Sequence, residues 1–381
     1  MKLFFIVDNN EPHSSGGGYS SIFKFAEFLS MRGHDVFIYA VNDLGWVQPN
    51  DKIQLYYRPK IKRRNRWMRK CDKLLELFCD KVIIPRLVRQ FNPDWVLGVL
   101  KESAIKAVSI ANQFNLPVAN FIYECPPWLR EIYGEGIYQQ QNHGYTRKLW
   151  EATKEAYLAS DILFPNSELS QQYNQNWLQS VSVAEPIFPG VDIDQMPFDG
   201  PKDSSSGKSV LYAGRLVWEK NVHHLIEAWK KMPPEITLNI TGKGPMAEQL
   251  QSQASGMSNV VFHGFVDDER LWELFRSTTM LICPTQFEGF GHPPLQALYF
   301  EKPCLASDLP ILRSIYGDHL DYFPMGDIDA IVEGVLRIIN DAPYAESKGK
   351  QGRPFVLENF SWAMSAERIE KHLLAHKHTS H

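Results

Sequence analysis

Short apolar runs that end in turn residues alternate with longer stretches of helical spacing along the whole sequence, and this alternation constrains the fold more than any other feature. Units of this kind pair their strands in parallel, because a parallel connection needs a crossover long enough to hold a helix. In the first half the strand candidates are 3–7, 35–40, 95–99, 118–123 and 162–164, and the helical stretches are 19–31, 70–90, 102–113 and 144–160. Residues 194–208, DQMPFDGPKDSSSGK, have no periodicity and read as a linker. The alternation then restarts, with strands at 210–212, 238–240, 260–263, 280–283 and 304–306 and helices beginning near Asn221, Pro245, Asp267 and Pro293. The expected architecture is α/β: two doubly wound Rossmann-like domains, 1–193 and 209–360, facing an interdomain cleft, with 361–381 as a helix and tail returning to the first domain. Ligands of such sheets sit outside the carboxyl ends of the strands, which directs attention to the loops there.

Composition narrows the function. Forty Lys and Arg against 44 Asp and Glu leave a net charge of -4, so no general basic field argues for nucleic acid. Five cysteines form no C-x-x-C pair and are odd in number, which fits reduced thiols in the cytoplasm and argues against a disulfide or zinc framework. The apolar run after Met1 is stopped by Asp8-Asn9-Asn10, too early for a secretion signal. No stretch reaches the roughly 20 apolar residues that span a bilayer, so the expected location is cytoplasmic, at most peripheral at the inner face of the membrane.

Three strand-end loops carry candidate chemistry. In Ser14-Ser15-Gly16-Gly17-Gly18, Gly17 and Gly18 would let backbone amides approach an anion at a helix start; a plain glycine turn explains the same residues. The loop is not G-x-G-x-x-G, so a dinucleotide dehydrogenase is poorly supported. In Tyr212-Ala213-Gly214-Arg215-Leu216-Val217-Trp218-Glu219-Lys220-Asn221, Gly214 is followed by Arg215, and Lys220 stands at a helix entrance, which suits a diphosphate. Pairing of Arg215 with Glu219 and solvation of Lys220 is the alternative. In Pro284 to Leu298, Glu288-Gly289-Phe290-Gly291 precedes two prolines that a first helical turn tolerates. Its amides suit phosphate or sugar oxygens and Glu288 suits sugar hydroxyls; otherwise Glu288 is a helix-dipole partner and Phe290 a core plug.

Taken together, these loops resemble the retaining nucleotide-sugar glycosyltransferases of the GT-B fold, family 4 of the glycosyltransferases, also called glycosyltransferase group 1. The resemblance covers most of the chain and is strongest from Pro189 to Pro310. It is carried by Pro-Gly-Val-Asp at 189–192, Tyr-Ala-Gly-Arg-Leu with Glu-Lys-Asn at 212–221, Thr-Gly-Lys-Gly-Pro at 241–245, His-Gly-Phe-Val at 263–266 and Pro-Thr-Gln-Phe-Glu-Gly-Phe-Gly at 284–291. It implies that Arg215 and Lys220 bind the donor diphosphate, that Glu288 lies near the donor sugar and that Gln296 faces the ribose. Gly214, Phe265, Val266, Gly289, Phe290 and Gly291 complete the implied donor contacts. Two positions depart from the family pattern. Gln296 replaces a second glutamate, keeping a carbonyl acceptor without the charge and implying altered strength or nucleotide preference. Tyr123, followed by Glu124, stands where a histidine near the donor sugar is usual; both are carried as N-domain catalytic candidates.

The function so implied is transfer of a sugar from a nucleotide-diphosphate donor to an acceptor hydroxyl with retention, in cell-surface polysaccharide or glycoconjugate assembly. No cofactor and no metal are required, because Arg215, Lys220 and the amides of Gly289 to Gly291 can stabilise the leaving diphosphate. The rivals are an epimerase on the same fold and a non-catalytic binding protein. The acceptor is a glycan or a lipid-linked one, and nucleic acid is not a partner. Residues 58–70 concentrate eight cations and no acid, and Lys62, Arg63, Arg64, Arg66 and Trp67 suit an anionic leaflet. A solvated charge run or a docking site for an anionic soluble acceptor explains them too. His372, His376, His378 and His381 near the end read as a frayed tail rather than a metal site.

Overall fold

A computed structural model describes residues 1–8, 17–41, 50–59, 61, 66–141, 144–179, 183–191, 196, 198 and 208–379. The chain forms two compact units, Met1–Phe188 with Trp362–His381, and Pro189–Ser361. The fold class is as expected: each unit is built on a six-stranded, wholly parallel sheet carrying helices.

The first sheet contains β1 (Lys2–Val7), β2 (Asp35–Ala40), β3 (Ile53–Tyr57), β4 (Trp95–Val99), β5 (Val118–Ile122) and β6 (Ile162–Pro165), in the order β3-β2-β1-β4-β5-β6. Phe4 is in register with Phe37 on one side and Val96 on the other. Strands β4 and β5 bury every residue along their length, and β1 all but Lys2, as a sheet covered on both faces requires. One apolar layer includes Phe5, Leu97 and Phe121, and the other includes Phe4, Val96 and Ile122. The second sheet contains β7 (Ser209–Ala213), β8 (Thr237–Thr241), β9 (Val260–Gly264), β10 (Met280–Cys283), β11 (Cys304–Ser307) and β12 (Asp321–Phe323), in the order β12-β11-β10-β7-β8-β9. Its order turns at β7 and β10, where ligands of such sheets collect.

Four features differ from the sequence reading. Strands β3 and β12 went unread. Both lie at sheet edges, where exposed Gln54 and the charged Asp321 break the apolar run; Asp321 instead accepts from Arg337 and from the Tyr344 hydroxyl, each at 2.7 Å. The stretch at 70–90 is a longer helix, Arg66–Phe78, continuing through a π turn at Cys79–Ile83 into Ile84–Phe91. The units divide at 188/189, ahead of the expected linker; most of 194–208 lies outside the described residues, but Met196 is buried and accepts from the Tyr299 hydroxyl at 2.6 Å. Finally, His372 and His376 are no frayed tail. They belong to helix Trp362–Thr379, whose Trp362, Ala366, Ile369 and Leu373 recur at helical spacing and are buried in the first core. His376 lies edge-on to Trp95 and 3.4 Å from Asp161.

Candidate donor site

Four loops follow β10, β7, β8 and β9, strands that are neighbours in the second sheet, so their turns emerge side by side. Backbone hydrogen bonds lace them together. Gly214 N–H donates to Thr241 at 3.1 Å, Leu216 N–H to Lys243 at 3.0 Å, and Gly242 N–H to Gly264 at 2.7 Å. Two glycines permit this close approach. Gly242 sits at φ 133°, and a Cβ there would fall 1.8 Å from the Gly214 carbonyl oxygen; one on Gly244 would fall 2.2 Å from that of Leu216. The Thr-Gly-Lys-Gly-Pro motif is therefore a lock between loops.

Lys220 closes the other side. It ends a 3-10 turn, Trp218–Lys220, and its ammonium donates to the Phe287 carbonyl at 3.2 Å and pairs with the Glu288 carboxylate. Both side chains are mostly buried, so the pair is screened far less than a surface one. Thr285 organises the crossing: its buried hydroxyl donates to the Phe287 carbonyl at 2.6 Å and lies 3.4 Å from the Lys220 ammonium, while Gln286 N–H donates to the Glu219 carbonyl at 2.9 Å. Arg215 stays half-exposed, 3.8 Å from Glu219, a loose contact that leaves its guanidinium facing solvent.

Gly291, at φ 92°, caps helix His292–Tyr299, whose first turn accommodates two prolines. The Tyr316 hydroxyl donates to the Gly291 carbonyl at 2.7 Å and fixes this turn. Phe290 is buried against His292, Tyr316 and Phe360, so its side chain plugs the core. Its contribution to a ligand is then the backbone that it anchors. Gln296 lies half-buried in the second turn of the same helix, and Gly289 in the half-buried loop before it. Burial lowers the affinity of the His292 imidazole for a proton, opposed by Glu288, and pushes the Cys283 thiol up to about 12. Neither is a ready acid or nucleophile at neutral pH.

At the far side of the lock, Phe265 is exposed with the Lys243 ammonium 4.4 Å from its ring centre, and Val266 is half-buried beside it. An exposed aromatic face paired with a cation suits a flat heterocycle. Lys243, Thr285 and Tyr316 were missed as individual residues; the first two lay within quoted motifs, and Tyr316 acts through a backbone carbonyl, which leaves no sequence signal.

The first-unit candidates are dispersed. Gly17 and Gly18 begin helix Gly17–Met31, and 14–16 lie outside the described residues. Tyr123 is buried in the core, its hydroxyl has no hydrogen-bond partner among the described residues, and burial raises its pKa. Glu124 pairs with Lys101 at 2.7 Å. Lys62, Arg63 and Arg64 lie outside the described residues, Arg66 starts a helix and Trp67 is exposed. One cation of that run is not at the surface at all: Arg58 is buried, 3.9 Å from the buried Asp72. Among the described residues no three His, Cys, Asp or Glu side chains gather as for a metal ion, and no helix is long and apolar enough to cross a membrane.

The chain is similar to known proteins in sequence and in fold. Residues 197–355 match the model of the glycosyl transferases group 1 family. A glycogen synthase of Mycobacterium tuberculosis is 24% identical over 297 residues, spanning 76% of this chain and 70% of that one. Sucrose-phosphate synthase from Thermosynechococcus elongatus superposes with a TM-score of 0.84 at 18% identity, covering 100% of both chains. Anabaena HepE, solved in complex with UDP-glucose, superposes with a TM-score of 0.75 at 15% identity, covering 98% of this chain and 100% of that one. Residues 197–355 are thus similar to the group 1 glycosyl transferases, and the chain as a whole has the fold of the GT-B glycosyltransferases.

Proposed function

We propose that this protein transfers a sugar from a nucleoside-diphosphate donor to an acceptor hydroxyl with retention of configuration and without a metal, in the assembly of a polysaccharide or glycoconjugate. The observation that carries the reading is the gathering of two cations, Arg215 and Lys220, with the glycine-lined mouth of helix His292–Tyr299 at neighbouring strand ends. As the anomeric bond lengthens, negative charge builds on the diphosphate. Cations and helix-end amides stabilise that charge more than the ground state, and such differential stabilisation accelerates transfer. Glu288 holds the donor sugar, Gln296 the ribose, and Phe265 with Val266 the base. A donor entering this site takes over part of the Lys220 ammonium that Glu288 now occupies. Glycogen synthase and the UDP-glucose complex of HepE support a nucleotide-sugar substrate and a polysaccharide product. The first unit supplies acceptor contacts, and a lipid-linked acceptor brings the enzyme to the inner, anionic face of a membrane.

A thermal-shift screen of UDP-, GDP-, ADP- and dTDP-sugars tests the donor, because a ligand of the native state raises the melting temperature with its occupancy. One sugar nucleotide is expected to stabilise strongly, with EDTA leaving turnover unchanged and the product keeping the donor's anomeric configuration by NMR. Silence across the panel would remove the donor site; reversible loss of activity in EDTA would remove the metal-free account.

A further inference from the structure

Helix Arg66–Phe78, the π turn Cys79–Ile83 and helix Ile84–Phe91 form one continuous rod on the first unit, helical through both junctions. Its inner line, including Asp72, Cys79, Ile84, Val88 and Phe91, is buried. The opposite line is Trp67, Leu74, Phe78 and Val82, exposed to 70, 66, 52 and 46%, with Leu77 beside it at 51%. Steps of seven, four and four residues keep these side chains on one face. Thirteen large hydrophobic side chains are exposed among the described residues, and five of them fall within 67–82. Single exposed apolar residues are ordinary, but a stripe of them is a surface waiting for a partner.

Charge on the rod is sorted just as sharply. All three of its acids turn inward: Asp72 accepts from Ile61 N–H at 3.3 Å beside Arg58, while Glu76 and Asp80 lie 3.1 and 3.2 Å from the Lys106 ammonium. Arg69, Lys70, Lys73, Lys81, Arg86 and Arg89 are all exposed. The outward side of the rod therefore combines an apolar stripe with cations only. A second copy of this chain is a poor occupant, since a two-fold contact sets the same cations against one another. An acidic protein would satisfy the charges, but a stripe one helix wide and roughly 22 Å long, from Trp67 to Val82, offers little of the broad core of a stable protein interface.

We propose that the rod docks in the plane of an anionic lipid bilayer, with Trp67, Leu74, Phe78 and Val82 among the upper acyl chains and the flanking lysines and arginines on lipid phosphates. This deepens the membrane reading given above by moving the contact from a basic run to a two-component helix face. Vesicle binding needs neither donor nor acceptor, so it stands or falls apart from the transfer reading.

The test is cosedimentation of the full chain with vesicles of phosphatidylglycerol and phosphatidylcholine in equal parts, against phosphatidylcholine alone, at low and high salt. Wild type is expected to prefer the anionic vesicles by ten-fold or more at low salt. Leu74→Ser with Phe78→Ser and Val82→Ser is expected to lower binding to both vesicles by at least ten-fold, and to abolish the part that survives high salt. Lys70→Ser with Lys73→Ser and Lys81→Ser is expected to erase the preference for anionic lipid. Both triple variants replace exposed side chains, and an unchanged melting temperature and nucleotide-sugar shift confirm their fold. Wild type that ignores anionic vesicles at low salt, or variants that sediment as wild type does, overturns the proposal. So does a wild-type dimer in sedimentation velocity that the apolar triple variant dissociates. Vesicle binding as described with no nucleotide-sugar shift upholds the docking face and removes the donor site.

Discussion

Lys220 and Glu288 are held against each other in a mostly buried corner, and this makes their roles separable by measurement. Under the proposed function, removing the cation strands a carboxylate where the diphosphate binds. Lys220→Ala and Arg215→Ala are each expected to lower turnover about 30- to 1000-fold, the equivalent of roughly 2–4 kcal/mol in the transition state. Glu288→Gln keeps the shape and frees the ammonium. The free nucleoside diphosphate should then bind as well or better by calorimetry while kcat falls, since contacts to the reacting sugar are lost. Tighter binding with an unchanged kcat would move Glu288 away from the sugar. Most of this corner was legible in the sequence, because Arg215 and Glu288 adjoin glycines at strand ends and Lys220 stands at a helix entrance. Their mutual pairing was not, since 68 residues separate Lys220 from Glu288 and only the sheet order brings them together.

At the scale of elements, the site is a set of loops whose backbones interlock, and its geometry is most vulnerable where no side chain fits. Gly242→Ala drives a methyl group into the Gly214 carbonyl and also forces a side chain into positive φ. A cost of roughly 3 kcal/mol or more is expected from chemical denaturation, together with loss of donor binding. Gly256→Ala is the control. Its φ of 82° carries the backbone strain, but no atom lies within 4 Å of the new methyl, so only about 1–2 kcal/mol and no change in donor binding is expected. Equal costs would mean that the lock plays no part. Central strands could be read from the sequence because burial on both faces makes them continuous apolar runs; the edge strands β3 and β12 could not, because half of each meets solvent or a charged partner. The rod 66–91 was only partly legible. Its cations stand out in the sequence, whereas the inward turn of Asp72, Glu76 and Asp80 depends on Arg58 and on Lys106 from a distant helix.

For the molecule as a whole, five histidines share one tendency: His34, His223, His263, His292 and His319 all hold their protons less firmly than a free imidazole, chiefly because burial disfavours the charged form. The unfolded chain therefore binds more protons once the pH drops through about 6.5, and stability falls from there toward the lowered folded values. The melting temperature should be level above neutral pH and decline between roughly pH 6.5 and 5, before carboxylates near 4 contribute. His292→Gln should flatten that decline, and a melting curve insensitive to pH in this window would contradict the assigned burial. Chain topology has a separate consequence. The polypeptide leaves the first unit after Phe188 and re-enters it at Trp362, and the two crossings are tied where Val191 N–H donates to the Phe360 carbonyl at 3.1 Å. During synthesis the middle portion of the message is thus completed before its beginning can be: a ribosome stalled once residue 361 has cleared the exit tunnel should present a protease-resistant second unit beside a first one still lacking Trp362, Ile369 and Leu373 from its core. Release of the last helix is then the event that closes the first unit, giving the nascent protein a built-in delay between forming the second sheet and finishing the sheet that was translated first.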